Sequence, residues 1–99
     1  MPNRPLVWYT SLMTIELTDE AKAVDNDLYE AHSTTYDKIW DVLEKIDADP
    51  TEAQHAPWTN YVSTQDLYGT KVPGTTYTVF WRVSGDVLDV RLIVDDLGL

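Results

Sequence analysis

The sequence predicts an α+β domain: an N-terminal strand, a two-helix hairpin, then a three-stranded antiparallel sheet. Three observations carry this. The apolar spacing changes from strand-like to helical after LTDEA. A second helical stripe is closed by Pro50. TTYTVFWRVSGDVLDVRLIVDD, residues 75–96, alternates apolar and polar residues on both sides of Gly85-Asp86.

Pro2 and Pro5 precede LVWYTSLMTIEL, a run supplied with Val, Trp, Tyr, Thr and Ile, all strand formers. The expected strand runs from about Leu6 to Leu17, bent near Ser11. Met13 opens MTIELTDEAKA and would itself be a natural start, so residues 1–12 are expected to be an extension on a single domain spanning 1–99. Thr18 or Asp19 can cap the first helix, with Asp19 and Glu20 in its first turn, where the helix dipole favours acids. Ala21, Val24, Leu28 and Ala31 follow at helical spacing. His32-Ser33-Thr34 breaks the pattern. Tyr36, Ile39, Trp40, Leu43 and Ile46 then form a one-sided stripe, and the two helices are expected to pack as an antiparallel hairpin. Residues 50–65 read as an irregular connection, LYGTKV as a short strand and Pro73-Gly74 as a turn.

In the hairpin, a two-residue Gly85-Asp86 loop pairs Val83 with Leu88, Trp81 with Val90, Val79 with Leu92 and Tyr77 with Val94. One face is then wholly apolar and buried. The other pairs Arg82 with Asp89 and Phe80 with Arg91. Glycine first in the loop suits a primed turn.

Ninety-nine residues suffice for one modest core. No cysteine is present, which excludes disulfides and zinc-thiolate sites and fits a reducing compartment. There is no apolar run of the roughly 20 residues that span a bilayer, and MPNRPLVWYTSLM lacks the apolar core of a secretory signal. A cytoplasmic protein without membrane contact is expected. Seventeen acids against seven bases give a net charge of -10. Such a surface repels nucleic acid, so direct nucleic-acid binding is not expected. It suits solubility, a salt-adapted host or a basic partner.

Motifs for common chemistries are missing: there is no G-x-x-x-x-G-K, no nucleophile elbow and no H-E-x-x-H. His32 and His55 have no metal-site spacing, and Asp47, Asp49 and Glu52 lack the glycine-bearing loop of an EF-hand. Neither metal nor cofactor is expected. Asp25, Asp27 and Glu30 read as a solvated helix face. Of four tryptophans, Trp40 and Trp81 fit core positions. Trp58, flanked by Pro57 and Asn60-Tyr61, fits an exposed contact. Trp58, Tyr61 and Tyr36 are the candidate partner-binding residues.

A strand ending in LTDEA, a helical hairpin ending near DADP, and then Y-x-x-K-V-P-G-T-x-Y-x-V-F-W-R-V-S-G-D-V-L-D-V resemble the RelE/ParE toxin superfamily over roughly residues 13–96. The resemblance implies a curved antiparallel sheet carrying two helices, and a toxin of a toxin–antitoxin pair. Ribosome-dependent RNases of that family use basic residues, His and Tyr on the concave face. Here the frequent arginine after the strand tyrosine is Thr78, and a position often holding a catalytic arginine falls on Pro73 or Gly74. The chain stops at Leu99, before the family's basic C-terminal segment. Lys71 matches a basic position, and Lys71, Arg82 and Arg91 are the candidate catalytic residues. The alternative for Arg82 and Arg91 is structural: an ion pair with Asp89 and stacking on Phe80. The resulting expectation is a toxin-fold protein without the usual RNase site, acting through an antitoxin-like or basic protein partner. Two alternatives remain: an acidic phage-type or nucleic-acid-mimicking inhibitor, and an active mRNA endonuclease with the ribosome as partner.

Overall fold

The computed structural model describes residues 14–95. Its elements are β1 (Thr14–Leu17), α1 (Asp19–Glu30), α2 (Thr34–Ala48), α3 (Pro50–Gln54), β2 (Thr59–Val62), β3 (Leu67–Lys71), β4 (Tyr77–Ser84) and β5 (Val87–Asp95). The expected strand segment Leu6–Met13, and with it the extension at 1–12, lies outside the described residues.

The α+β class holds, but the sheet has five strands in the order β1-β5-β4-β3-β2, not three antiparallel strands. β2 to β5 form an antiparallel meander, and β1 lies parallel to β5, with Thr14 opposite Val87 and Leu17 opposite Val90. Two elements inside the expected irregular connection account for part of the difference. Pro50 does not merely stop α2. It occupies the first turn of α3, which Asp49 caps by accepting a hydrogen bond from the Glu52 N–H (3.1 Å), because proline's fixed φ and missing donor cost nothing there. β2 is the four-residue edge strand TNYV. It is too short for alternation to mark it and lies between Pro57 and the polar turn at 63–66.

The helical hairpin is as expected. The Trp40 indole N–H donates to Asp25 Oδ1 at 2.7 Å, and the Tyr29 and Tyr36 rings meet at 5.2 Å, so α1 and α2 run antiparallel. The turn between them is a Schellman closure. The Ser33 N–H reaches the Leu28 carbonyl and the His32 N–H that of Tyr29, with His32 at φ +54° where glycine is usual. Ser33 then caps α2.

Both helices lie on one face of the sheet. Ile39, Val42, Leu43 and Ile46 of α2 and Ala21 of α1 pack with Val72, Val79, Trp81, Leu88, Val90 and Ile93. The chain enters α1 through Thr18, whose side chain does two jobs. Its oxygen accepts the Ala21 N–H (3.3 Å), and its hydroxyl donates to the Arg91 carbonyl (2.5 Å), while the Thr18 N–H donates to Val90 (3.0 Å).

The β4–β5 register agrees with expectation from the turn as far as Trp81–Val90, including Arg82–Asp89. Beyond it, Val79 pairs with Ile93 rather than Leu92, Phe80 with Leu92 rather than Arg91, and Tyr77 with Asp95 rather than Val94. Arg91 is an extra residue, a β-bulge. Leu92, Ile93 and Val94 are all apolar, so alternation alone cannot choose which faces inward. The bulge puts Ile93 in the core and leaves Leu92 and Val94 exposed. On the outer face Phe80 lies across Gly69, where an added Cβ would come within 2.7 Å of the ring.

Gly85 has φ +62° and opens the β4–β5 turn, with Asp86 at ordinary φ, the pattern of a type II′ hairpin. A Cβ at Gly85 would meet nothing within 4 Å. The cost of substitution there is therefore conformational rather than steric. Gly85→Val should destabilise the fold by about 1–3 kcal/mol, since positive φ is costly for a β-branched residue. Urea denaturation checks this, and unchanged stability would contradict the turn.

Candidate functional site

An open cleft of about 800 Å³ lies between the C-terminal half of α2, α3, the 55–58 loop and the β3 side of the sheet. Val42 and Ile46 supply its apolar floor, with Ala53, Pro57 and Pro73 around it. Trp58 lies on its wall and is 55% exposed. An indole left this open next to a cleft is a feature of binding surfaces more than of cores.

One wall is held from inside the core. Trp81 is fully buried, and its indole N–H donates to Thr70 Oγ1 at 2.9 Å. Thr70 lines the cleft and shares a hydrogen bond of 2.8 Å with the Thr59 hydroxyl. The chain Trp81–Thr70–Thr59 thus crosses β4, β3 and β2 just ahead of Trp58. A parallel row of rings accompanies it. Tyr68 stacks on Trp81 at 5.1 Å and Tyr61 tilts against Tyr68 at 5.0 Å.

The charged groups on the cleft are Lys45, Asp49 and Glu52, with His55 beside them. His55 Nδ1 is 2.8 Å from the Thr51 carbonyl, so Nδ1 carries the proton and, in the neutral ring, Nε2 is an acceptor.

The three candidate partner-binding residues fall in three places. Trp58 lines the cleft. Tyr61 ends the aromatic row, 52% exposed, and donates to Asp66 Oδ1 at 2.7 Å; this bond leads the causes that raise its phenol above the usual range. Tyr36 lies at the helical turn between Tyr29 and Trp40, its phenol raised first by burial and then by the field of Asp25.

The candidate catalytic residues are on the opposite, outer face of the sheet. Arg82 Nε and Arg91 Nη1 both address Asp89 Oδ2, at 3.5 and 3.3 Å. Arg91 lies two residues beyond Asp89 on the same strand, within reach of its carboxylate. Lys71 is exposed and paired in register with Thr78, four residues before Arg82 on the same face, with Phe80 between. The arginines are brought together, but on a carboxylate; Lys71 is not brought to them.

Charge is unevenly distributed. Between Glu16 and Glu52 the chain has twelve acids and three lysines; between Ala53 and Asp95 it has four acids and three bases. Of the twelve, all but Asp25 and Asp47 are solvent-exposed. The helical layer is thus strongly negative, the sheet nearly neutral, and the cleft lies where the two meet.

Sequence reasoning singled out Trp58 but missed its surroundings: Lys45, His55, Pro57 and Pro73 as cleft residues, and Glu52 as more than part of an acid cluster. The available signal was Asp49-Pro50, an N-cap followed by a first-turn proline, which marks a helix start as well as a stop.

The chain matches no protein-family model, no curated protein and no solved structure. No helix among the described residues is long and apolar enough to cross a membrane.

Thr70 is where core and cleft share a hydrogen bond. Thr70→Val should cost about 1–3 kcal/mol by leaving the buried Trp81 N–H unpaired. In a Trp81→Phe background, where no N–H remains, the same change should cost clearly less. A double-mutant cycle by urea denaturation measures the difference, and additive costs would refute the coupling.

Proposed function

We propose that this protein is a non-enzymatic binding module that engages a basic protein partner through its acidic helical layer and the Trp58 cleft. One observation carries the reading: an exposed indole sits on an apolar cleft at the edge of a surface bearing ten exposed carboxylates between Glu16 and Glu52. Apolar anchors supply affinity, while surrounding charge supplies steering and choice of partner. A partner of opposite sign also relieves the self-repulsion of a chain with net charge -10.

The reading keeps the RelE/ParE-like relationship as a proposal. A strand, a helical hairpin and consecutive antiparallel strands is the element order that the resemblance implies, and a cytoplasmic setting goes with it. In such a pair the usual signs would be inverted, with an acidic toxin-fold protein and a basic partner. The ion cluster on the outer face supports a role without RNA cleavage. Both arginines there are directed at Asp89, whereas phosphate binding and proton transfer need cations and acid–base groups aimed at the substrate.

Two outcomes follow. Affinity capture with the purified chain should recover a basic protein at low salt, with recovery falling at high salt because exposed charges are screened over about 8–10 Å at physiological ionic strength. Trp58→Ala should lower recovery at both salt concentrations. A strongly acidic partner, or capture indifferent to both salt and Trp58, would overturn the reading. Second, the chain should leave mRNA uncut on translating ribosomes. Cleavage that disappears in Lys71→Ala or Arg82→Ala would replace this reading with an endonuclease.

A further inference from the structure

We propose that the Trp58 cleft is a seat for an arginine side chain in an extended segment of the basic partner. This rests on the binding reading above and names the chemistry at its centre. Four features of the cleft converge on a long side chain with an apolar stem and a cationic end.

The first is shape and lining. A cleft of about 800 Å³ with Val42, Ile46, Ala53, Pro57 and Pro73 around it holds a few residues of extended chain and rewards methylene groups laid along it. The second is the exposed Trp58 indole on the same wall. Indole is the strongest aromatic partner for a cation, and a planar guanidinium stacks on its face.

The third is the balance of polar groups. Asp49 and Glu52 are both exposed carboxylates, and the His55 ring held by Thr51 is an acceptor at Nε2 when neutral. These groups accept hydrogen bonds, and guanidinium only donates them. Lys45 is the opposing charge. With it, the charged groups lining the cleft, Lys45, Asp49 and Glu52, still sum to a net negative charge. The fourth is helix polarity. Ala48 and Asp49, at the C-terminal end of the 15-residue α2, line the cleft, and that end favours cations; the opposing N-terminus of the five-residue α3 is already answered by the Asp49 cap and Glu52.

Tyr61, nearby in sequence, tilts against Tyr68 and does not line the cleft, so Trp58 is the ring the cleft presents. An anionic occupant would be repelled by the net negative lining, and a purely aliphatic one would gain nothing from Glu52 or from the Asp49 oxygen that does not cap α3. Arginine answers both the apolar walls and the acceptors at once.

The test follows the Trp58 indole N–H by two-dimensional NMR while the full chain is titrated with an arginine-rich nonapeptide. A second titration uses the same peptide with every arginine replaced by citrulline, which keeps the shape and removes the charge. A saturable shift of the Trp58 resonance with the arginine peptide alone is expected. Glu52→Gln should weaken that binding about threefold, and Trp58→Leu about threefold to tenfold, in keeping with a partly exposed cation–π contact. Glu30→Gln, at the far end of α1, is the control for diffuse attraction and should have little effect.

Equal shifts with the citrulline peptide would overturn the proposal by making the cleft an apolar anchor only. So would arginine-peptide binding that moves helix resonances but leaves Trp58 unmoved, or a Glu30→Gln loss as large as that of Glu52→Gln. If salt-sensitive capture of a basic protein persists under any of these results, the arginine seat fails and the binding reading stands. If capture itself fails, the binding reading falls.

Discussion

The indole of Trp81 is the constraint around which the other parts are arranged. Among the described residues it is the largest fully buried side chain, and it carries a polar N–H that cannot be left unpaired in a dry interior. Thr70 supplies the partner, and Thr59 satisfies Thr70 in turn. Because these residues sit on three successive strands, satisfying one buried donor also fixes the register of the meander out to its edge. The same chain carries that order to the cleft, since Thr70 is part of its wall and Thr59 follows Trp58 directly. The binding surface is therefore positioned by the core rather than by a loop alone.

A second constraint ties the helical layer to the sheet. A bulge at Arg91 moves the inward-facing set from Leu88 and Val90 to Ile93. Thr18 hydrogen-bonds the carbonyls of Val90 and Arg91 while capping α1. One residue thus sets where the first helix starts and where it lies on β5. On the outer face Arg82, across from Asp89, and Arg91, two residues beyond it, share the Asp89 carboxylate.

The uneven charge has a physical cost and a use. Like charges on neighbouring helices repel, which is tolerable because all but two of the carboxylates from Glu16 to Glu52 face water. Several also sit where helix dipoles welcome them: Asp19 and Glu20 in the first turn of α1, Asp37 in that of α2, and Glu52 in that of α3. The residual repulsion is a standing bias toward a cationic partner, and the cleft lies at the boundary where an apolar anchor can be added to it.

The sequence by itself determined the elements whose signals are local. Thr18 as a cap, the α1–α2 break, the apolar stripe of α2, the Pro73-Gly74 and Gly85-Asp86 turns and the inner half of the β4–β5 register are each decided by residues close together in the chain. So was the exposure of Trp58, between a proline and polar neighbours. Tertiary structure decided the rest. It made β2 a strand, because four residues pair only when β3 offers an edge. It placed the bulge at Arg91, because Leu92, Ile93 and Val94 look alike until the helices demand that Ile93 face them. It set β1 beside β5, a contact between residues more than seventy apart that no local pattern encodes. It also formed the cleft: Lys45, Glu52, Trp58, Thr70 and Pro73 are scattered along the chain, and only the packing of α2 and α3 against the edge of the sheet makes them neighbours.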